Sequence, residues 1–380
     1  MPPREPGPEC RPPAVLAREV RTFAPGRVNL IGEHTDYNRG LALPFAIAQG
    51  VAVRGRAIAG GRIVARALDL DERDEFAPGV SSARPDAAAR RRAERSDGAR
   101  EGSGDDMGWR GFVRGIAAEL RLLEVPVAGA ELEISGDLPR NAGLSSSAAL
   151  EVSLALALLG LAGAELECRE LARLCSRVEN EWLGAHTGLL DQLASLYGKP
   201  DWALRIDFAS LAIDPVPLPL DGGWRLATLD SGEPRALAAS GYNERRAECT
   251  RACELLGVQS LRDADADSLG ALPHVLARRA RHVLEENARV EQAVAALRAG
   301  ELERMGALLD AAHASLRDLY ECSTPAVEAA VARLKRAGAA GARIVGGGFG
   351  GHVLGLFPPG ASPPADALEV RPSAGARLLA

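Results

Sequence analysis

The sequence has 380 residues, enough for two domains of ordinary size, and its 47% hydrophobic and 25% charged residues are typical of a globular protein. Its net charge of −6 disfavours nucleic acids and anionic membrane surfaces as partners, and we expect neither. Lys199 and Lys335 are the only lysines, which excludes P-loop enzymes and protein kinases because each class needs a lysine at a defined place that these two do not occupy.

The cysteine pattern and the N-terminus both indicate a cytoplasmic protein. Six scattered cysteines without a C-x-x-C pair favour reduced, buried thiols. The proline-rich start lacks a hydrophobic signal region. The apolar stretch Ala148–Gly163 is short for a membrane span and carries Glu151. We expect no membrane association, and we expect a monomer.

The first third of the chain reads as strands interrupted by polar segments, after a tail at 1–19 that we expect to be disordered. Short strands are predicted at Val20–Phe23 and Val28–Ile31, and further strands in Leu41–Ala59, with a hairpin turn at Ala59–Arg62. The low-complexity segment 81–106 predicts a flexible surface loop. An amphipathic helix is predicted at Trp109–Leu123, followed by a strand through Ala130, Leu132 and Ile134.

That strand leads to the segment PRNAGLSSSAALE, Pro139–Glu151. Ser145, Ser146 and Ser147 are N-cap candidates for a helix spanning Ala148–Leu161. A loop of small residues before a helix N-terminus exposes unpaired N–H groups and the positive end of the helix dipole, which suits a phosphate. The segment alone leaves two interpretations equally open, a phosphate cradle and an ordinary capped core helix.

A second helix is predicted at about Leu166–Leu183, and its apolar stripe runs from Leu171 to Trp182. Glu179 and Glu181 both lie at the margin of this stripe, so periodicity does not decide which of them enters a site. Asp191 follows among apolar neighbours in TGLLDQLAS, where the simplest interpretation is a helix cap.

The pattern of predicted elements changes near Tyr197–Asp201, and we predict a domain boundary there. The two predicted domains are 20–200 and 201–380. Beyond the boundary we predict two strands, four long helices and a glycine segment between two further strands. These are Trp202–Phe208, Trp224–Leu229, Ala236–Leu256, Ala277–Ala299, Glu301–Tyr320, Pro325–Gly338, Arg343–Val345, GGGFGG at Gly346–Gly351, and His352–Phe357.

Five segments in this order resemble the galactokinases, within the GHMP family of small-metabolite kinases. They are APGRVNLIGEHTDYN (Ala24–Asn38), PRNAGLSSSAALE, SGYNERRAEC (Ser240–Cys249), ARHVLEENARV (Ala280–Val290) and GARIVGGGFGG (Gly341–Gly351). The resemblance covers nearly the whole chain, from about Val20 to Phe357. It implies an α+β fold with an N-terminal mixed α/β domain like ribosomal protein S5, a C-terminal α+β domain, and an active site in the cleft between them.

The resemblance also implies roles for individual residues. Asp191 matches the catalytic base, with Arg27 beside it. Ser147 and Glu179 match the ligands of Mg²⁺, which selects Glu179 over Glu181. The positions that match sugar contacts are Glu33, His34, Thr35, Asp36, Gly188 and Tyr242. The positions that match the ATP site are Asn141, Ala142, Gly143, Leu144, Ser145, Ser146 and Ser147, with Trp109 near the adenine.

The implied reaction is transfer of the ATP γ-phosphoryl group to the anomeric hydroxyl of galactose, with ATP and Mg²⁺ required. Two alternatives stay open at this point. One is a kinase of the same family that acts on N-acetylgalactosamine or another hexose, because the residues near the second carbon of the sugar are not identifiable. The other is a sensor that binds galactose and ATP without catalysis, although such a sensor need not retain Asp191.

Overall fold

A computed structural model describes residues 18–77, 108–139, 143–184, 187–233 and 238–379. The predicted insertion at 81–106 and, apart from residues 18 and 19, the predicted tail lie outside these residues. Within them the chain forms helices together with six-, four- and three-stranded sheets, so the predicted α+β class is confirmed.

Except for the helix at Leu190–Tyr197, which was not predicted, the helices agree with the predicted ones to within a few residues; a π-helical turn at Val178–Trp182 completes the helix predicted at Leu166–Leu183. They are α1 (Gly108–Leu122), α2 (Ser146–Ala162), α3 (Cys168–Arg177), α4 (Leu190–Tyr197), α5 (Ala238–Leu256), α6 (His274–Ala299), α7 (Leu302–Asp318) and α8 (Pro325–Arg336). The strands are β1 (Glu19–Asn29), β2 (Leu41–Ala42), β3 (Pro44–Ala57), β4 (Ile63–Ala67), β5 (Glu72–Phe76), β6 (Ala130–Gly136), β7 (Trp202–Asp207), β8 (Ala212–Pro217), β9 (Arg225–Asp230), β10 (Gly341–Ile344), β11 (His352–Phe357), β12 (Leu368–Val370) and β13 (Arg377–Leu379).

The prediction of two separate strands at Val20–Phe23 and Val28–Ile31 is wrong. A single strand, β1, runs from Glu19 to Asn29 and pairs with β3, with a register shift between Pro25 and Arg27. Proline is tolerated inside a strand where a bulge interrupts the ladder, so Pro25 bends the strand without ending it.

The hairpin predicted at Ala59–Arg62 is also wrong. The strands on either side of this turn, β3 and β4, do not pair with each other; β6 lies between them, antiparallel to β3 and parallel to β4. Alternation in the sequence identifies strands, but neighbours along the chain are neighbours in a sheet only about two-thirds of the time.

Helix α2 lies at the centre of the N-terminal half. It packs on β1 and β3, and its residues from 151 to 161 are all buried. Because it is apolar on every side, its body belongs to the core, and only its first turn is available for a ligand.

Two strand pairings cross the predicted boundary at residues 200 and 201. β2 pairs with β7, and β13, at the end of the chain, returns to pair with β1 in the six-stranded sheet. One hydrophobic cluster also joins Val28 and Phe45 to Val290 of α6 and Leu309 of α7. The division into 20–200 and 201–380 stays a prediction, and the two parts share sheet and core.

No helix among the described residues is both long and apolar enough to cross a membrane. The five cysteines in the described part of the chain are free, and all but Cys253 are buried, in agreement with the prediction of buried thiols.

Candidate active site

The part of PRNAGLSSSAALE that leads into α2 and ends in Ser145–Ser147, here called the serine loop, meets the bulge of β1 at Gly143 and Leu144. Arg27 N–H donates to Leu144 O at 3.0 Å, and Arg27 Nη1 donates to Gly143 O at 2.6 Å. The fit is close, since a Cβ added at Gly26 would lie 2.5 Å from Leu144 O. The bulge therefore brings the guanidinium of Arg27 to the start of α2.

Ser145 does not cap α2 with its side chain. It occupies the N-cap position in a left-handed conformation (φ 62°, ψ 49°) without a side-chain cap hydrogen bond. Its Oγ instead donates to Asp191 Oδ2 at 2.6 Å. Helix geometry leaves the first N–H groups of α2 without partners inside the helix, so the loop retains the property that suits phosphate.

Asp191 lies at the second residue of α4, and the N-cap of that helix is Leu189, so the helix-cap interpretation of Asp191 is wrong. Its Oδ1 accepts from Arg27 Nε at 2.8 Å and lies 2.6 Å from Arg27 Nη2. Its side chain is 26% exposed. Both of its oxygens carry hydrogen bonds, and its exposed part can still meet the hydroxyl of a bound group and take its proton.

Glu179 lies on a π-helical turn, Val178–Trp182, that continues α3. Such single turns are frequent at functional sites. Glu179 is 4% exposed, and its Oε2 accepts from Thr187 Oγ1 at 2.6 Å and from Gln192 Nε2 at 2.9 Å. Burial raises the pKa of Glu179, while hydrogen bonds from Ser147 and Thr187 oppose that rise.

Ser147 and Glu179 therefore come together at the start of α2, as the resemblance implied. Hydroxyl and carboxylate oxygens, few in number from the protein, are what Mg²⁺ accepts, so these two residues fit that ion. Among the described residues there is no group of three or more His, Cys, Asp or Glu side chains that could hold a metal. The pair would leave most of the coordination shell to phosphate and water.

Sequence reasoning missed two residues behind this pair. Gln192 is fully buried and donates through Nε2 to both Glu179 and Glu151 Oε2, the latter at 3.3 Å. Burial, followed by the charge of Glu179, raises the pKa of Glu151 well above its usual value. The available signal for Gln192 was its position directly after Asp191. Adjacent residues of a helix point to different sides, so one can face a site while the next lies behind it.

The loop Gly32–Leu41, here called the sugar loop, brings Glu33 and Asp36 towards Asp191. Glu33 Oε1 accepts from Gly346 N at 2.8 Å and lies 3.2 Å from Arg343 Nη2, so the first glycine of GGGFGG and the strand before it fix its carboxylate. Gly188 approaches Asp36 so closely that an added Cβ would lie 1.8 Å from Asp36 Oδ2.

Burial raises the pKa of Asp36 to about 6, and the negative charges of Asp191 and Glu33 act in the same direction. The backbone N–H of Tyr37 and the charge of Arg246 oppose them. Burial and nearby negative charges both disfavour the ionised form of a carboxyl group.

His34 and Tyr242 lie against each other, with ring centroids 5.3 Å apart. His34 Nε2 is 3.2 Å from Gly347 O, a pure acceptor, so this nitrogen carries the proton and Nδ1 accepts from Tyr37 Oη at 2.8 Å. Burial lowers the pKa of His34 well below its usual value, which keeps the ring neutral. A sugar hydroxyl that binds this ring must displace one of the two partners.

Thr35 differs from its neighbours on the sugar loop. It is fully buried, and its Oγ1 lies 2.9 Å from Gly32 O and 2.7 Å from Leu41 O. A hydroxyl has a single hydrogen to donate, and here backbone carbonyls take it. The structure thus shows Thr35 closing the loop, and its contact with the sugar stays a prediction.

The predicted ATP site is only partly described. Gly143 to Ser147 lie in the described residues, whereas Asn141 and Ala142 lie outside them. Trp109 is the second residue of α1, and its Nε1 donates to Glu72 Oε2 at 2.7 Å. Glu72 is on β5, at the edge of the six-stranded sheet, and the position of Trp109 near the adenine stays a prediction.

The exclusion of lysine-dependent phosphate loops agrees with the structure. Lys199 lies over the ring of Trp202 with Nζ 4.6 Å from its centroid, and Lys335 Nζ bonds Asp310 Oδ2 at 2.6 Å. Both lysines are committed to surface contacts, and within the described part of the chain Arg27 supplies a cation to the serine loop.

Three family descriptions match the chain in the order expected from its motifs. The galactokinase galactose-binding signature matches residues 16–57, the GHMP kinases N-terminal domain residues 111–199, and the GHMP kinases C-terminal domain residues 293–376. These matches confirm the two-domain GHMP kinase architecture.

Similar proteins and solved structures support the same family. The galactokinase of Roseiflexus sp. (strain RS-1) is 40% identical over 88% of this chain and 82% of that protein, and the galactokinase of Haemophilus influenzae is 37% identical over 90% and 85%. The crystal structure of Lactococcus lactis galactokinase complexed with galactose matches with a TM-score of 0.82 at 29% identity, over 96% of both chains. Mevalonate kinase from Methanococcus jannaschii shares only the fold, with a TM-score of 0.60 at 18% identity over 93% and 98%. The sequence motifs, the site geometry and these relatives lead to one conclusion: the chain belongs to the galactokinase family of the GHMP kinases.

Proposed function

We propose that the chain transfers the γ-phosphoryl group of ATP to the anomeric hydroxyl of galactose. The observation that carries this proposal is the placement of Asp191. Its carboxylate is hydrogen-bonded to Arg27 and to Ser145 of the serine loop. Asp36 of the sugar loop is near enough for the charge of Asp191 to raise the pKa of Asp36. One carboxylate therefore lies between the predicted phosphate and sugar sites.

In this proposal Asp191 accepts the proton of the anomeric hydroxyl as the oxygen attacks phosphorus. Arg27 holds the carboxylate in place through Nε and Nη2, and its charge stabilises the transferring group. A positioned general base contributes about 10²–10⁴-fold in rate, and positioning with electrostatics supplies the rest.

The sugar would lie against Glu33, Asp36 and the backbone at Gly188, with Tyr242 and His34 forming an aromatic wall. Carboxylates suit sugar hydroxyls because each hydroxyl has a hydrogen to donate. Glu33 is already oriented by Gly346 N–H, so binding does not have to fix its rotamer.

ATP would lie with its phosphates at the N-terminus of α2, near Gly143 to Ser147. Ser147 and Glu179 would hold Mg²⁺, which neutralises charge on the phosphate oxygens when bound. Gln192 and Thr187 both donate to Glu179 Oε2. These two hydrogen bonds fix the orientation of the whole carboxylate, and with it the direction of Glu179 Oε1.

The test is release of ADP from ATP and Mg²⁺ with a panel of sugars comprising galactose, N-acetylgalactosamine, glucose and mannose. We expect galactose to give the highest kcat/KM and a product phosphorylated at the anomeric oxygen, identified by phosphorus NMR. A preference for N-acetylgalactosamine would overturn the substrate assignment.

The same preparation separates an enzyme from a sensor. Galactose binding is measured by calorimetry beside turnover, with Asp191→Asn as the matched control. Tight binding with no turnover above that of the Asp191→Asn variant would overturn the proposed activity and favour a sensor.

A further inference from the structure

The segment ARHVLEENARV has no part in the reaction proposed above, although it is one of the five segments that carry the resemblance. It lies within α6, and its inner side faces the sugar loop. Three of its residues form hydrogen bonds with the loop backbone, each at a different place. The first and second are one helical turn apart, and the third directly follows the second. They are His282, Glu286 and Asn287.

Glu286 holds the start of the loop. Gly32 N–H donates to Glu286 Oε1 at 2.8 Å, and Arg289 Nε donates to Glu286 Oε2 at 2.7 Å. Glu286 is fully buried; burial alone would raise its pKa, but the charges of Arg289 and Arg343 lower it overall. The loop thus receives an ionised acceptor inside the core.

His282 holds the next residue. Its Nε2 lies 3.2 Å from Glu33 O, which can only accept, so Nε2 donates and Nδ1 accepts from Ser315 Oγ at 2.8 Å. Burial lowers the pKa of His282 to about 4, which matches a ring with one donor and one acceptor. The ring contacts the backbone of Glu33 and leaves its carboxylate to Gly346 and Arg343.

Asn287 holds the end of the loop. Leu41 N–H donates to Asn287 Oδ1 at 2.8 Å. The contact leaves no space, since a Cβ added at Gly40 would lie 2.5 Å from that oxygen. At the other end, Gly32 has φ +97°, and an added Cβ would lie 2.5 Å from Leu41 O. Both ends of the loop are thus tied together and to one helix.

We propose that Glu286, supported by His282 and Asn287, is a positioning residue that holds the sugar loop in the shape in which Glu33 and Asp36 meet the sugar. The proposal rests on the proposed function, because it assumes that the loop binds the sugar. All three side chains act through the loop backbone. Loss of one leaves a backbone N–H or C=O buried without its partner, which is costly enough to change the loop.

The test compares Glu286→Ala with Glu286→Gln, which keeps an oxygen for Gly32 N–H. The matched control is Glu285→Ala, on the exposed side of the same helix, where Glu285 lies 3.4 Å from Arg289. For Glu286→Ala we expect the galactose KM, and the galactose Kd measured by calorimetry without ATP, to rise by at least about tenfold, with the ATP KM within about twofold of wild type. Glu286→Gln should recover most of the affinity, and Glu285→Ala should match wild type.

Asn287→Ala and Asn287→Asp provide a second comparison, in which Asn287→Ala changes no charge and Asn287→Asp keeps the acceptor and adds a negative charge. Asn287 Nδ2 is buried without a hydrogen-bond partner among the described residues, so the Asp variant retains the acceptor and loses no bond. We expect Asn287→Ala to raise the galactose KM selectively and Asn287→Asp to bind more tightly than Asn287→Ala. If Glu286→Ala does not fold, this pair carries the test.

A galactose KM that stays at the wild-type value in folded Glu286→Ala or Asn287→Ala would overturn the positioning role. So would equal losses for galactose and ATP, which indicate a general loss of structure. Failure of the proposed function has a different signature, since wild type itself would then show no galactose turnover in the same assay.

Discussion

Lowering the pH from 7.5 to 5.5 should weaken galactose binding through one carboxyl group, that of Asp36. Burial, with the charges of Asp191 and Glu33, raises its pKa to about 6, whereas an ordinary aspartate stays ionised throughout this range. An ionised carboxylate accepts stronger hydrogen bonds from sugar hydroxyls than a protonated one. The affinity should therefore follow the ionised fraction of Asp36.

The magnitude follows from that pKa. Asp36 is about 97% ionised at pH 7.5 and about 24% at pH 5.5, and the apparent Kd scales with the inverse of the competent fraction, which gives a rise of up to about fourfold. An aspartate of ordinary pKa would change the Kd by only about 2% over the same range.

The assay is calorimetric titration with galactose in the absence of ATP, at half-unit intervals of pH. Asp36→Asn is the control; it should bind more weakly and show no such slope. A Kd that is constant between pH 7.5 and 5.5, or an equal slope in Asp36→Asn, would refute the reasoning.

Protein stability must be followed in the same buffers. A raised pKa means that the folded protein takes up the Asp36 proton before the unfolded chain does, so acidification through pH 6 does not destabilise the fold through this group. Buried His34 and His282 act in the opposite direction, because their pKa values are lowered and the unfolded chain gains protons below about 6.5. Thermal unfolding at each pH separates loss of binding from loss of structure.

Three further predictions concern the chemistry and the two binding sites. Asp191→Asn should lower kcat by about 10²–10⁴-fold with galactose Kd nearly unchanged, and an unchanged kcat would remove Asp191 from its role as base. Gly188→Ala should abolish detectable galactose binding by calorimetry, because its Cβ would lie 1.8 Å from the aspartate beside it; Gly270→Ala, where the added Cβ meets no atom within 4 Å, should bind normally. Ser147→Ala should raise the Mg²⁺ concentration needed for half-maximal rate, and it should reduce the thermal stabilisation that ADP gives in the presence of Mg²⁺. Glu179→Gln should show both effects more strongly. Equal Mg²⁺ dependence in wild type and both variants would contradict the predicted ligand pair.

Several features of the site could be predicted because their signals are local. The stripe from Leu171 to Trp182 placed a helix correctly, and these stripe residues are buried. The order of five short motifs was sufficient for the family. The resemblance, and not periodicity, selected Glu179 over Glu181, and the structure places Glu179 beside Ser147.

Other features depended on contacts that no local pattern records. Ser145 has the composition of an N-cap, yet its hydroxyl bonds Asp191, 46 residues away, and its backbone is left-handed. Thr35 lies in a motif of sugar ligands, yet its hydroxyl closes the loop. In both cases tertiary hydrogen bonds override the preference of the isolated segment.

The sequence by itself determined the helices other than α4, because side-chain periodicity is a property of neighbouring residues. Its motifs, through their resemblance, determined the family and with it the fold class. Only the tertiary structure decided how the motifs meet. Arg27 reaches Asp191 across 164 residues, and Glu286 reaches Gly32 across 254. Such pairs form because packing of α2, α4 and α6 against the bent β1 and the sugar loop brings distant groups within hydrogen-bond distance, and this packing depends on the whole core.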